Sequence, residues 1–160
     1  MKNKILISAI ALFFSMNLYS QEKTTLDEII EENKGKVIYV DFWASWCKPC
    51  RKEMKYVSEI HNIYKNKEVV FIYLSKELNE NEWKKASNKE GILDEKYNLM
   101  TINMKKTPDF KLSSKFNLQV NSLPSYMIFN KKGELINNYA PRPSEKEKLY
   151  VELDKYLAEE

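Results

Sequence analysis

The sequence predicts an α/β fold with a central mixed sheet flanked by helices, and three observations predict it. "KVIYVDF" (36–42) and "EVVFIYLS" (68–75) are β-branched and aromatic runs of the kind that buried strands show. Between them Met54, Val57, Ile60, Ile63 and Tyr64 recur at helical spacing, which makes a βαβ unit, and such crossovers join parallel strands with a right-handed turn in nearly all cases. Near the C-terminus "SYMIFN" (125–130), "KKG" (131–133) and "ELINNY" (134–139) read as strand, hairpin turn and antiparallel partner. A chain of 160 residues is long enough for one domain with a full core, and 43% hydrophobic with 31% charged residues is ordinary for a soluble globular protein.

The first twenty residues stand apart from that domain. Lys2 and Lys4 make a positive start, Ile5 to Phe14 form an apolar run, and Ser20 is a small residue before the polar "QEKTT", the pattern of a secretory signal over 1–20. Ser15 and Asn17 interrupt the run well short of the roughly 20 residues a spanning helix needs. Leu18 is not the usual small residue at the third position before the cut, and no cysteine lies near it to carry a lipid. Cleavage removes two lysines and no acids, so the formal charge falls from +3 to +1. A nearly neutral domain over 21–160 gives no reason to expect nucleic acid or an anionic membrane as partner.

Thr25 with Glu28 three residues on is a capping-box pattern, and Leu26, Ile29 and Ile30 mark an apolar face, so a short helix is expected over 26–33, ended by Gly35. The helix between the first two strands begins at Cys47 and tolerates Pro49 because it falls in the first turn. Asn79 and Glu82 open another helix through Trp83 that stops near Gly91. Residues 92–115 carry no clear pattern. Ser144 and Glu147 are the expected cap of a last helix whose Leu149, Leu153, Tyr156 and Leu157 form one apolar stripe.

Both cysteines of the chain lie in "WASWCKPCR" (43–51), where the first strand gives way to the helix. A structural disulfide closing so small a loop stabilises by roughly 2 kcal/mol, against about 3 for a 15-residue loop, so almost any longer spacing makes a better staple. A structural zinc site needs four ligands, and the chain has no third cysteine and only His61, well down the same helix. His61 is expected at the helix surface or the edge of the core, and no metal or cofactor is expected. The reactive reading needs a thiolate. A cysteine at a helix N-terminus faces unpaired N–H groups and the positive end of the helix dipole, and both favour the anion. Cys47 is therefore the expected nucleophile, with Lys48 adding positive potential and Pro49 stiffening the turn. Cys50, one turn later, is the resolving thiol.

"VDFWASWCKPC" resembles the active-site segment of thioredoxin-fold proteins, and with the export signal the chain is similar to the TlpA/ResA-like extracytoplasmic thiol–disulfide oxidoreductases. The resemblance covers most of 25–157 and implies a thioredoxin-like fold. It also implies a proline with a cis peptide bond facing the cysteines, which "SLPSYMIF" supplies as Pro124, and backbone before it that pairs with the bound partner. Leu123 stands where the family more often has Thr, Val or Ile, which bears on partner choice. Asp41 matches the buried acid that exchanges a proton with the resolving cysteine; many TlpA-like members lack it. An acid inside an apolar strand should in any case be desolvated, with its pKa raised. Trp43 and Trp46 are expected to shield the cysteines, with Trp46, Lys48, Pro49 and Leu123 as the substrate-binding residues. Cys50 and Pro124 lie 74 positions apart, which implies a central insertion taking in the Trp83 helix and part of 92–115. Glu77, just after the second strand, is the candidate for an acid that some members bring near the site.

The function so implied is reduction of protein disulfides in a periplasmic or otherwise extracytoplasmic space, with a membrane-linked electron donor to recharge the pair. The opposite direction, as thiol oxidase or disulfide isomerase, uses the same residues. A non-catalytic binding module on the same fold is the reading from another class.

Overall fold

In a computed structural model the described residues are 24–104, 112–116, 118 and 120–159. The predicted signal over 1–20 lies outside them. No helix among the described residues is long and apolar enough to cross a membrane.

In chain order the elements are α1 (Leu26–Glu32), β1 (Val37–Trp43), α2 (Lys48–Glu53), a 3-10 turn (Met54–Tyr56), α3 (Val57–Tyr64), β2 (Val69–Ser75), α4 (Glu80–Glu90), β3 (Asn98–Met100), β4 (Ser125–Phe129), β5 (Leu135–Asn137), a second 3-10 turn (Pro143–Glu145) and α5 (Glu147–Leu157). The five strands form one sheet in the order β3-β2-β1-β4-β5. β1 runs parallel to β2, and β2 to β3, whereas β1 and β4, and β4 and β5, are antiparallel. The sheet is therefore mixed, with the βαβ unit and the C-terminal hairpin where the sequence predicts them.

Every residue of the central strand β1 is buried, and its period-two alternation divides the molecule into layers. Ile38, Val40 and Phe42 point to one side, where they pack with Leu26, Ile29 and Ile30 of α1 and with Met127 and Phe129 of β4. Val37 and Tyr39 point to the other, against Ile60 and Tyr64 of α3 and Leu149, Leu153 and Tyr156 of α5. Trp43, at the end of that second face, packs with both cysteines, Met54, Val57, Tyr73, Ala86 and Ile92.

The caps explain where elements begin. The Glu28 N–H donates to Thr25 Oγ1 at 3.1 Å and the Thr25 N–H donates to Glu28 Oε2 at 2.7 Å, the reciprocal pair that the spacing predicts. Asn79 Oδ1 accepts from the N–H groups of Asn81 (3.0 Å) and Glu82 (3.3 Å), and Gly91 ends α4 in the left-handed conformation that glycine adopts without a Cβ clash. Gly133 in the hairpin turn also has positive φ, and a Cβ there would stand 3.1 Å from Ile30 Cγ2.

Two expectations need correction, and a segment without a sequence pattern proves to hold a strand. The helix after Cys47 is not continuous: at Met54–Tyr56 it tightens to 3-10, the Val57 N–H donating to the Met54 carbonyl. The break coincides with Glu53, whose carboxylate leaves the helix surface to accept from the Ser144 N–H (2.9 Å) and hydroxyl (3.1 Å). Ser144 is for the same reason not the cap of the last helix; it belongs to the Pro143–Glu145 turn, and α5 starts at Glu147. The segment after Gly91 contains a strand, β3, whose three residues are too few to show a period. It is held by the edge of β2, with the Tyr73 N–H donating to the Tyr97 carbonyl and the Thr101 N–H to the Ser75 carbonyl, both at 2.8 Å. The insertion thus supplies α4 and one edge of the sheet. Its residues 105–111 lie outside the described residues.

Candidate active site

β1 ends at Trp43, and the chain turns through Ala44, Ser45 and Trp46 before α2. The Cys47 N–H donates to the Ala44 carbonyl at 3.0 Å, closing that turn, and the Arg51 N–H donates to the Cys47 carbonyl at 3.1 Å, opening the helix. Cys47 is the N-cap, with extended backbone, and its Sγ accepts from the Cys50 N–H at 3.3 Å. The sulfur therefore occupies the position where Ser or Asp oxygens normally satisfy the free donors of a helix start. Pro49 is the second residue of α2, where the donor it lacks has no partner in the helix anyway.

Cys47 and Cys50 form a disulfide with 5.3 Å between their Cα atoms. The two sulfurs are not equivalent. Cys47 lines a surface cavity of about 470 Å³ together with Trp46, Lys48, Pro49 and Leu123, so the residues predicted to contact a partner lie around one opening. Cys50 is wholly buried beneath it, packed with Trp43, Met54 and Tyr73. The remaining lining residues, Lys76, Asn121 and Ser122, carry no sequence signal, because the fold brings them in from after β2 and before β4. Trp46 is 66% exposed and covers the rim, whereas Trp43 is fully buried and serves the core. The Leu123–Pro124 peptide is cis. Leu123 packs against both the cysteine cluster and the core on the other face of the sheet.

Asp41 is 1% exposed in the middle of the sheet, in register with Tyr73 of β2 and Tyr126 of β4. Its Oδ1 has no hydrogen-bond partner among the described residues. Burial, and secondarily the charge of Glu53, pushes its pKa well above the ordinary carboxylate range. Glu53 is an acid that sequence reading missed, although its place three residues after Cys50 puts it one turn below that cysteine.

Glu77 is 6% exposed and serves the active-site loop through structure. One carboxylate oxygen accepts the Ser45 hydroxyl, and the other accepts the N–H groups of Leu78 (2.9 Å) and Asn79 (3.3 Å). Burial opposes its ionisation, but these donors outweigh burial and hold its pKa below the usual value. Glu77 therefore ties the Ser45–Trp46 turn to the start of α4. Arg51 ties α2 to the end of α4, its Nε (2.8 Å) and Nη2 (2.6 Å) both donating to Glu90 Oε1.

His61 sits at the edge of the core, Nε2 2.7 Å from the Tyr73 hydroxyl and Nδ1 3.2 Å from Glu95 Oε1. Burial lowers its pKa, against the pull of the Glu95 charge. Among the described residues no group of three or more His, Cys, Asp or Glu side chains is placed to hold a metal ion.

Thiol-disulfide oxidoreductase ResA of Bacillus thuringiensis (strain Al Hakam) is 47% identical over 45 residues, 28% of this chain and 26% of that protein. The thioredoxin-like protein YneN of Bacillus subtilis (strain 168) is 41% identical over 54 residues, 34% of this chain and 29% of that protein. The match thus spans less than a third of the length of these curated relatives. Among solved structures, a Bacteroides vulgatus protein described as a thiol-disulfide oxidoreductase superposes with a TM-score of 0.60 at 26% identity, over 78% of this chain and 81% of that one. A Chlorobium tepidum protein described as thiol:disulfide interchange protein DsbE gives the same TM-score at 21% identity, over 81% and 85%, a likeness of fold alone. The family model described as thioredoxin-like matches residues 35–135, more than half of the chain. That match runs from the start of β1 through both cysteines and Pro124 into β5, and by it the chain belongs to the thioredoxin-like family.

Proposed function

We propose that the protein is an exported thiol–disulfide oxidoreductase that reduces disulfides in extracytoplasmic partner proteins. The observation that carries this reading is the asymmetry of the pair: Cys47 opens onto the surface cavity, and Cys50 is sealed beneath it. A partner disulfide can meet only Cys47 directly. The Cys47 thiolate attacks one partner sulfur, forms a mixed disulfide and expels the other partner sulfur as a thiolate. Cys50 then attacks Cys47 Sγ, the Cys47–Cys50 disulfide forms, and the second partner thiolate leaves with the electron pair. Two electrons have passed to the partner, so a donor on the membrane side is needed to restore the dithiol.

The chain's own groups fit these steps. The Cys50 N–H at Cys47 Sγ stabilises a thiolate there. Asp41, on the same face of β1 as Trp43 and beside Tyr73 of the cysteine cluster, is the group to take the Cys50 proton. Pro124 and the backbone before it present the partner chain to the cavity, with Trp46, Lys48, Pro49 and Leu123 around it. Export rests on the signal pattern over 1–20, and a secreted form starting near residue 21 is its test by mass spectrometry.

Cys50→Ala is expected to hold partner proteins on Cys47 as stable mixed disulfides, and Cys47→Ser to hold none. Capture on Cys50 in the second variant, or no capture by a Cys50→Ala protein whose wild type exchanges disulfides, overturns the order of attack. Direction is read by the reduction potential: a value near about −120 mV, that of a strong oxidant, would replace the reductant reading by the oxidase one.

A further inference from the structure

The stretch that leads into Pro124 is held by two side chains of the chain itself. Lys76 Nζ donates to the Val120 carbonyl at 3.0 Å, and the Ser125 hydroxyl donates to the Ser122 carbonyl at 2.6 Å. The backbone N–H and carbonyl groups of Asn121 and Leu123, by contrast, form no hydrogen bond among the described residues. Asn121, Ser122 and Leu123 line the cavity at Cys47, so these main-chain groups belong to the wall that a partner meets.

Lys76 reaches that stretch from a fixed start. It follows β2 directly, and its N–H donates to the Trp43 carbonyl at 2.8 Å, which ties its backbone to the end of β1. The next residue, Glu77, is bound to Ser45 in the turn before Cys47. From there the side chain crosses to Val120, 44 positions further on, and itself lines the cavity. Lys34, Lys67, Lys96 and Lys146 place Nζ on carboxylates at the surface. Lys76 places its own on a main-chain carbonyl beside the cysteines, as a charged donor, which makes a stronger hydrogen bond than a neutral one. Leu118, Val120 and Leu123 pack against the apolar core, so side-chain contact holds one side of the stretch and Lys76 pins its exposed backbone.

We propose that Lys76 is a positioning residue for docking of the partner polypeptide. By holding the Val120 carbonyl it fixes residues 120–123 at the wall of the cavity, with the main-chain groups of Asn121 and Leu123 available to the partner's backbone. Main-chain pairing of this kind supplies affinity whatever side chains the partner carries. Its strength depends on the stretch being held before the partner arrives, because ordering on binding is subtracted from affinity. Lys76 acts through the backbone it holds and leaves the electron transfer to the cysteines. This role rests on the proposed reduction of protein disulfides.

The test compares two substrates: a peptide of glycine, alanine and serine around one internal cystine, with blocked termini, and hydroxyethyl disulfide, which has no main chain. Both are uncharged, so attraction by the lysine charge is absent from the comparison. The ratio of their kcat/KM values divides out any change in the reactivity of Cys47. In Lys76→Met, which keeps an unbranched apolar stem but no donor, that ratio is expected to fall about three- to ten-fold, the net worth of one hydrogen bond. Lys76→Arg keeps a charged donor and is expected to hold the wild-type ratio. Amide relaxation at Asn121 and Leu123 in the oxidised protein reads the same clamp without turnover, with order lower in Lys76→Met than in the wild type. An unchanged ratio in Lys76→Met overturns the role, and so does unchanged order. A wild type that turns over neither disulfide, with order still lost in Lys76→Met, leaves the clamp standing and overturns the redox reading instead.

Discussion

On one side of β1, Ile38, Val40 and Phe42 meet α1 and β4 in a mainly apolar layer whose tyrosine hydroxyl, on Tyr97, is partnered by Asn33. On the other, Tyr39, Asp41 and Trp43 face α2, α3 and α5, and polar atoms at Asp41, Trp43 and Tyr126 lie buried without partners among the described residues. The two faces belong to the same seven-residue strand, so backbone pairing cannot account for the difference. The first face contributes to stability by removing apolar surface from water at about 25 cal/mol per Å². The second carries a desolvated acid and orphan polar atoms, each of which costs free energy. The stability of the first face is what allows the second to keep groups chosen for reactivity.

The largest effect expected from breaking that division is on the apolar face. Phe42→Ala removes a fully buried ring and should lower unfolding free energy by about 3–5 kcal/mol in urea titration, with exchange chemistry lost only as far as the protein unfolds. A loss below about 1 kcal/mol would mean that the layer repacks and that the face is not the stabilising one.

Asp41→Asn probes the other face, and its sign is opposite. An unfolded aspartate titrates near about 3.9, and burial raises the folded value well above that. Between the two values the native state holds a proton that the unfolded state has lost, so stability falls as pH rises through this window. An asparagine side chain carries no such charge. The variant should be more stable than wild type at neutral and alkaline pH, with the falling slope removed, while release of the mixed disulfide by Cys50 slows. Identical pH–stability curves for the two proteins would show that Asp41 is not desolvated.

Glu77→Gln tests the loop between the faces. A glutamine has one acceptor oxygen where the carboxylate uses two, so the Ser45 or the Leu78 donor loses its partner, at about 1–3 kcal/mol. Because Glu77 is held below its usual pKa, its contribution is present above the unfolded carboxylate value and disappears as pH falls through the folded one. The gap between variant and wild type should therefore close in acid. A gap that persists unchanged at low pH would assign the effect to packing.

The smallest effect lies at the outer edge of the apolar layer. Thr25→Ala removes one half of the capping box of α1 and should cost about 1 kcal/mol, measured as a small shift in the urea midpoint with disulfide exchange unchanged.

Much of this molecule is written locally. The box at Thr25 and Glu28, the runs of β1 and β2, the turn at Gly133 and the C-x-P-C at a strand-to-helix junction each depend on residues within a few positions of one another, and all are legible in the sequence. Asp41 is legible because a charge within an apolar run has few explanations. The β3 strand is not, since three residues show no period and the strand exists only against the edge of β2.

The locally written elements, and the place of Cys47 and Cys50 at a strand-to-helix junction, thus follow from the amino-acid sequence unaided, because propensity, capping and spacing act over a helical turn or a strand. Which distant groups share a space is settled at the level of the folded chain. Glu53 reaches Ser144 where its helix tightens, Glu77 holds Ser45, and the Tyr39 hydroxyl donates to the Pro141 carbonyl. These are contacts between residues tens of positions apart, where loop closure and packing rather than local preference fix the neighbour. The two cysteines are the plainest case: they lie three positions apart in sequence and both are largely buried, and only the folded layers around them leave Cys47 lining the cavity and Cys50 beneath it.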